Sequence, residues 1–271
     1  MNALITGYKG FIGKNLSKEL NRLSYNLLGI EKDVVKHYLD NESILENMIK
    51  DSDIIFHVGA ISDTSEQDYN EMLYYNYHFT KKLVDLSEKL KVKIIYSSSA
   101  SVYGNGGVND VPNNIYAWSK LMAEDYGRRT YPEGFVSLRY FNVYGPHEEH
   151  KLAKGMCSVG YKAWKCGNQK LFPKKPARDF VYVKDVVSAN IAAIEVEAGI
   201  YEVGTGNART FEDFLDNMGR VPYTYTDELA IPEWYQYFTE ANSSNWLPNW
   251  EPKYNLEAGC ADYLMYLNNE R

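Results

Sequence analysis

Tyr116 and Lys120 stand four positions apart in Tyr116-Ala117-Trp118-Ser119-Lys120. On a helix that spacing sets a phenol and an ammonium on one face, where the positive charge favours phenolate and lowers the tyrosine pKa. Such a pair can move a proton to or from a carbon-bound oxygen. Ser97, Ser98, Ser99 and Ser101 surround the end of an apolar run upstream, and a hydroxyl there can hydrogen-bond that same oxygen. Near the N-terminus, Thr6, Gly7, Gly10, Phe11, Ile12 and Gly13 follow the apolar run Ala3-Leu4-Ile5. A buried strand that runs through glycines into a helix leaves free backbone N–H groups at the helix start, where a pyrophosphate can sit. The spacing is G-x-x-G-x-x-G, unlike the G-x-G-x-x-G of the usual dinucleotide fingerprint. The two motifs occur in one chain with the serine-rich strand end between them, which points to a nucleotide cofactor coupled to acid–base chemistry.

These groups meet only if the elements carrying them converge. The first half alternates short apolar runs with longer helical patterns, the signature of a parallel sheet with crossover helices. Strands are predicted over 2–6, 26–30, 35–39, 53–57, 93–97 and 135–140, and helices over 11–23, 43–50, 69–90 and 116–130. The right-handed crossover rule makes this an α/β fold, a Rossmann-type doubly wound parallel sheet. Gly7, His57 and Ser97 then fall at the carboxyl ends of strands, where cofactors sit in such sheets. Glu31, ending the second strand, can accept hydrogen bonds from the adenosine ribose, whereas Lys32 beside it can pair with a 2′-phosphate. Asp40, ending the strand predicted over 35–39, can receive the adenine amino group. After Tyr140, prolines punctuate shorter elements. The expected organisation is a cofactor domain over residues 1–140, with 178–203 returning to it, and a smaller substrate-binding lobe from 141–177 and 204–271.

Composition narrows the partners. A chain of 271 residues with 45% apolar content can build a proper core. A net charge of −7 argues against a general nucleic-acid surface, so phosphate recognition must be local. No apolar stretch approaches a membrane span and no signal peptide is apparent, so a cytoplasmic location is expected. Three scattered cysteines, Cys157, Cys166 and Cys260, read as reduced packing residues, and no metal site is expected. Most of the 24 tyrosines are expected to pack half-buried with a hydroxyl at the surface.

Taken together, Thr6-Gly7-x-x-Gly10-Phe11-Ile12-Gly13, Ser97-Ser98-Ser99-Ala100-Ser101-Val102-Tyr103-Gly104, Tyr116-x-x-x-Lys120, Arg139-Tyr140-Phe141-Asn142-Val143-Tyr144-Gly145-Pro146 and Arg178-Asp179-Phe180-Val181-Tyr182-Val183 cover most of the chain. In this order they resemble the extended short-chain dehydrogenase/reductases that act on nucleotide sugars. The resemblance implies NAD or NADP as cofactor, a nucleotide-sugar substrate, and a catalytic triad of Ser99, Tyr116 and Lys120. It also implies cofactor contacts from Gly59, Ala60, Asn76 and Ser97, and self-association into a homo-oligomer through helices of the cofactor domain.

Within that family, Phe56-His57-x-Gly59-Ala60-x-Ser62, Gly145-Pro146-His147-Glu148-Glu149-His150-Lys151 and Tyr235-Gln236-x-Phe238-Thr239 resemble the branch that inverts carbon 6 of ADP-heptose. That likeness implies substrate contacts from Ser62, His150 and Tyr235, with Asn142 and Arg178 on the substrate phosphates. A guanidinium suits that task because it can fork across two phosphate oxygens. One phenol fixed on one side of a carbonyl cannot easily serve both hydroxyl orientations, so a second acid–base group across the pocket is useful. Lys151 matches that position, and Lys154, which also precedes a glycine, competes with it. The family's 4-epimerases and 4-ketoreductases use the same serine-tyrosine-lysine core and remain alternatives, as does a non-catalytic nucleotide-binding regulator. A 4,6-dehydratase is disfavoured, because Ala100 and Ser101 stand where that branch carries an Asp-Glu pair.

Overall fold

The computed structural model describes residues 1–59, 61–63, 68–105, 111–149, 151, 158–233 and 235–269. Strand β1 (Asn2–Thr6) buries Ala3, Leu4 and Ile5 completely. Covered on both faces, it is the kind of strand that belongs inside a parallel sheet. After it come α1 (Phe11–Arg22), β2 (Asn26–Ile30), α2 (Lys32–Asp40), α3 (Glu42–Lys50) and β3 (Ile54–His57). Next follow α4 (Tyr69–Leu73), a π-helical turn (Tyr74–His78), α5 (Phe79–Leu90), β4 (Lys93–Ser99), α6 (Ile115–Thr130) and β5 (Phe135–Tyr140). Beyond them, α8 (Val183–Ala192) leads into β9 (Gly199–Val203).

Six strands form one parallel sheet in the order β2-β1-β3-β4-β5-β9. Leu16 and Leu20 of α1 and Val186 and Val187 of α8 cover one face. Leu45 and Ile49 of α3, Leu83 and Val84 of α5, and Ala123 of α6 cover the other. The winding direction reverses between β1 and β3, which opens a crevice beyond the carboxyl ends of those strands.

Two expectations need correction. Residues 35–39 form no strand; they lie in helix α2. Val35, Tyr38 and Leu39 recur at helical spacing and turn one apolar stripe onto the core, which outweighs the β-propensity of the neighbouring valines. The sheet therefore ends at β2, and Asp40 sits exposed at the far end of a helix. The expected return of 178–203 to the main sheet begins only at α8. Strand β8 (Ala177–Tyr182) belongs to a second sheet with β6 (Asn142–Tyr144), β10 (Ala208–Thr210) and β12 (Phe238–Thr239). Its edges are occupied by β10 on one side and by β6 and β12 on the other, so the chain must cross by α8 before β9 can pair with β5.

The smaller lobe also holds α7 (Val159–Cys166), the paired strands β7 (Gln169–Leu171) and β11 (Tyr223–Tyr225), α9 (Phe211–Asn217) and α10 (Leu256–Asn269). Its core is aromatic. Tyr144, Tyr182 and Tyr263 are fully buried around Phe180 and Phe214, whereas most of the tyrosines elsewhere are half-buried, as expected. Among the described residues no helix is long and apolar enough to cross a membrane.

Candidate active site

The glycine turn closes by two backbone hydrogen bonds. Gly7 takes φ of +66° and donates its N–H to the Ile30 carbonyl at 2.7 Å, and Gly10 N–H reaches the Gly7 carbonyl at 3.0 Å. A Cβ at Gly13 would stand 2.0 Å from the Gly7 oxygen, and one at Gly7 would stand 2.7 Å from the Gly59 Cα. Only glycine fits at either place, and the G-x-x-G-x-x-G spacing is thereby explained. Gly10 caps α1 without a side-chain hydrogen bond, so the first-turn N–H groups of Phe11 and Ile12 face the cavity without a capping side chain.

At the far end of this cavity stand Ile30, Glu31, Lys32, Val35, Val58, Tyr75 and Phe79. Glu31 is held by the turn itself, its carboxylate accepting Lys9 N–H at 2.6 Å. Lys32 pairs with Glu71. Asp40 does not line the cavity, and the adenine contact expected of it falls with the strand that was to carry it. Val35, Tyr75 and Phe79 take that end instead; they are helical packing residues in sequence, and nothing in their spacing marks them.

Ser97, Ser98 and Ser99 end β4. Ser99 caps the 3₁₀ turn Ala100–Tyr103, its oxygen accepting Ser101 N–H at 3.2 Å and Ser101 Oγ–H at 2.7 Å. Asn114 caps α6 by accepting Ala117 N–H at 2.9 Å, which sets Tyr116 in the first turn and Lys120 one turn on. Tyr116 lies against Ser99, so the sequence-predicted triad converges. The electrostatics differ from the sequence expectation. Burial raises the Tyr116 phenol above its usual range, and the Ser99 hydrogen bond pulls it back in part. Lys120 turns its ammonium to the Ser97 carbonyl at 2.7 Å, and burial pushes its pKa down to about 7. The Ser97 hydroxyl donates to Tyr140 at 2.9 Å. The Ser98 hydroxyl, one of the strand-end serines singled out in the sequence, is buried without a partner among the described residues and lines the cleft.

Asn76 is buried behind the cavity and does not line it. Its amide donates to the Ile61 carbonyl at 2.9 Å and accepts Ile61 N–H at 2.8 Å, and it also donates to Ser119 Oγ at 3.0 Å. It thus ties the loop after β3 to the helix carrying Tyr116 and Lys120, and the π turn at Tyr74–His78 directs it there. A second relay runs beside it. Thr80 donates to the Asn76 carbonyl at 2.7 Å, so it can only accept from His57 Nε2–H, also at 2.7 Å. His57 Nδ1 then accepts from Thr6 Oγ1 at 2.6 Å, which in turn accepts Gly59 N–H at 2.9 Å. His57 is neutral, its pKa pushed down to about 3 by burial and by the Lys120 charge.

Across the cleft, Lys151 has its ammonium 5.0 Å from the Phe11 ring centre and its N–H on the Glu148 carbonyl at 2.9 Å. Buried Glu148 anchors this segment by accepting Ser158 N–H at 2.6 Å and Ser158 Oγ–H at 2.7 Å. Ala60, His150 and Lys154 lie outside the described residues. Ser62 and Asn142 line the outer cleft with Tyr235. Arg178 is only 5% exposed, with its guanidinium 5.0 Å from the Tyr235 ring and a 3.0 Å hydrogen bond to the Ala177 carbonyl. No described carboxylate pairs with it. Asp179 accepts Thr205 N–H, Gly206 N–H and Ala241 N–H at 2.8, 2.8 and 3.0 Å, Asp185 holds Lys253 and Tyr254 N–H, and Glu202 holds Asn242 N–H and Tyr103 Oη–H. Gln236, whose role the sequence did not disclose, donates to the Ala100 and Gly104 carbonyls and ties the Tyr235 segment to the Ser99 turn.

A glycine turn with no room for side chains, a carboxylate at the β2 end and an unpartnered serine hydroxyl over the same crevice fit a dinucleotide. With Ser99, Tyr116 and Lys120 beside it, the class is the dinucleotide-dependent short-chain dehydrogenase/reductase. The chain belongs to the NAD-dependent epimerase/dehydratase family, whose sequence model matches residues 3–204. It is 35% identical to the ADP-L-glycero-D-manno-heptose-6-epimerase of Brachyspira hyodysenteriae (strain ATCC 49526 / WA1) over 88% of each chain. The crystal structure of the Helicobacter pylori ADP-L-glycero-D-manno-heptose-6-epimerase superposes with a TM-score of 0.82 at 28% identity, covering 98% of this chain and 96% of that one. The UDP-glucuronic acid 4-epimerase of Bacillus cereus, solved with UDP-glucuronic acid and NAD, shares the fold at 21% identity, with a TM-score of 0.81 and full coverage of both chains.

Proposed function

We propose that this chain is an ADP-heptose 6-epimerase in which Tyr116 and Lys151 serve the two hydroxyl orientations of one sugar carbon. The observation that carries the reading is their juxtaposition: Tyr116 and Lys151 both line the dinucleotide cavity and the substrate cleft, at the junction of the two. Bound NAD supplies reversible hydride transfer there. In the oxidising half one of the two groups takes the hydroxyl proton as the carbon loses its hydride. In the reducing half, with the carbonyl turned over, the other returns a proton to the oxygen as the hydride comes back to the opposite face. Ser99 holds the oxygen on the Tyr116 side, and Lys120, one helical turn on, is fixed beside them by the Ser97 carbonyl. Arg178, buried without an anion, and Asn142 receive the diphosphate. Self-association is part of the reading, supported by Trp118 and Met122, one turn apart on α6 and 42% and 40% exposed.

The test is product analysis with ADP-heptose and with UDP-hexoses. Interconversion of the two ADP-heptose epimers without net cofactor consumption is expected, and Tyr116→Phe should lower turnover ~10²- to 10⁴-fold while NAD stays bound. Lys151→Met is expected to block epimerisation to a similar degree, whereas Lys154→Met retains it. Turnover of a UDP-hexose alone, or full activity of Lys151→Met, refutes the assignment.

A further inference from the structure

We infer that Glu71 sets the preference for NAD over NADP from outside the cofactor site, by withholding Lys32 from a 2′-phosphate. Three cationic side chains among the described residues line the dinucleotide cavity, Lys32, Lys120 and Lys151. Lys120 and Lys151 stand at the catalytic junction, which leaves Lys32 as the cation at the end where Glu31 awaits the adenosine ribose. As the first residue of α2, directly after Glu31, Lys32 is within one side chain of that ribose. Lys32 lines the cavity, but its ammonium is already engaged. It pairs with the Glu71 carboxylate on α4 and lies 4.6 Å from the Tyr75 ring centre, so two groups from the opposite wall hold it.

Glu71 is itself placed by helix geometry. It stands three residues after the cap Asp68, whose carboxylate accepts its N–H at 2.9 Å. The nearest alternative cation, Lys9, is exposed, with its ammonium 5.3 Å from the Tyr8 ring centre. Glu31 meanwhile stands at the ribose end, its carboxylate held by Lys9 N–H. A 2′-phosphate arriving there meets one carboxylate directly and must compete with a second for the Lys32 ammonium. Two acidic residues 40 positions apart thus act on the same discrimination, one by repulsion and one by removing a counter-charge.

The inference concerns the cofactor and stands independently of which sugar is turned over. The protein is incubated with equal excess NAD and NADP, freed of unbound nucleotide, and the retained nucleotides are quantified. Wild type retains mainly NAD. Glu71→Gln shifts the retained ratio toward NADP by about three- to tenfold, the scale of one exposed charge-assisted contact. Adding Lys32→Met to Glu71→Gln returns the ratio to the wild-type value. Glu71→Asp keeps the charge at the start of α4 but draws it back from Lys32, and it shifts the ratio in the same direction by less. Thermal unfolding checks that each variant is folded. A wild type that retains both nucleotides equally, a folded Glu71→Gln with an unchanged ratio, or a gain that survives Lys32→Met overturns the inference.

Discussion

Replacing Arg178 by methionine should separate binding from stability. A buried guanidinium without a carboxylate is costly in the free protein, since desolvating an ion costs several kcal/mol unless it is paired. Its compensation is a carbonyl hydrogen bond at 3.0 Å, a hydrogen bond to the Tyr235 hydroxyl and the aromatic rings of Tyr235 at 5.0 Å and Phe211 at 5.8 Å. Those contacts are worth ~1–3 kcal/mol together. Methionine keeps an unbranched stem among the rings and removes the charge, so Arg178→Met should unfold within ~1 kcal/mol of wild type or above it. Binding should move the other way. Two charge-assisted hydrogen bonds to a diphosphate are worth ~3–5 kcal/mol, or a loss of roughly 10²- to 10⁴-fold in affinity for ADP. Calorimetric unfolding without ligand and titration with ADP read the two quantities on one sample. Asp179→Asn is the contrast. Asp179 is fully buried and its carboxylate accepts three backbone N–H groups and the Thr205 hydroxyl, so an amide nitrogen there confronts donors and should cost ~2–4 kcal/mol. If Arg178→Met unfolds several kcal/mol more easily and still binds ADP, the guanidinium is a structural group and the phosphate assignment fails.

Lys120 has a folded pKa of about 7 against an ordinary value of 10.5, so between those limits the unfolded chain binds a proton that the folded one does not. Stability of the ligand-free protein should therefore rise with pH across that window, and Lys120→Met should flatten the rise; equal urea midpoints at pH 7 and pH 9 would contradict the burial of this ammonium. Gly13→Ala brings a Cβ to 2.0 Å from the Gly7 oxygen and should cost ~2 kcal/mol or more together with most of the NAD affinity. Gly167→Ala, with φ of +80° but nothing within 4 Å, should cost only ~1 kcal/mol and leave NAD binding intact.

What was legible in the sequence was whatever depends on local spacing. The turn Gly7-x-x-Gly10-x-x-Gly13, the pair Tyr116 and Lys120 on one helix and the serines at the end of β4 all converge in the structure. Residues 35–39 misled because two adjacent valines suit a strand, whereas the stripe Val35, Tyr38 and Leu39 suits a helix and had a core to pack on. Asp40 was misread for the same reason. Asn76 was seen as a site residue, but only the fold reveals that it works through Ile61 and Ser119 rather than by lining the cavity. The Lys120 pKa was also out of reach, because it follows from burial and not from the neighbouring phenol. Gln236 and Tyr75 lie far in sequence from the groups they serve, and neither spacing nor residue type marks them.

The distribution of charge follows one physical rule. Behind the cavity the fold uses neutral polar groups that satisfy one another: Gly59 N–H to Thr6, Thr6 to His57, His57 to Thr80, and Thr80 to the Asn76 carbonyl. That chain admits a single proton arrangement, which fixes the His57 tautomer and leaves no second positive charge beside Lys120. A protonated His57 would need another acceptor in place of Thr6 and would repel the ammonium, and both effects keep it neutral. Elsewhere carboxylates are spent on the backbone. Asp179 on β8, Asp185 on α8 and Glu202 on β9 are each given to backbone N–H groups of the surrounding loops, so they brace the smaller lobe without cancelling the Arg178 guanidinium. Arg178 thus stays without a described carboxylate where the proposed diphosphate is to arrive. The same reasoning separates Lys32 from Arg178: both face the cleft, but only Lys32 has been handed a carboxylate, which fits a cofactor end that receives a ribose hydroxyl and a substrate end that receives phosphate.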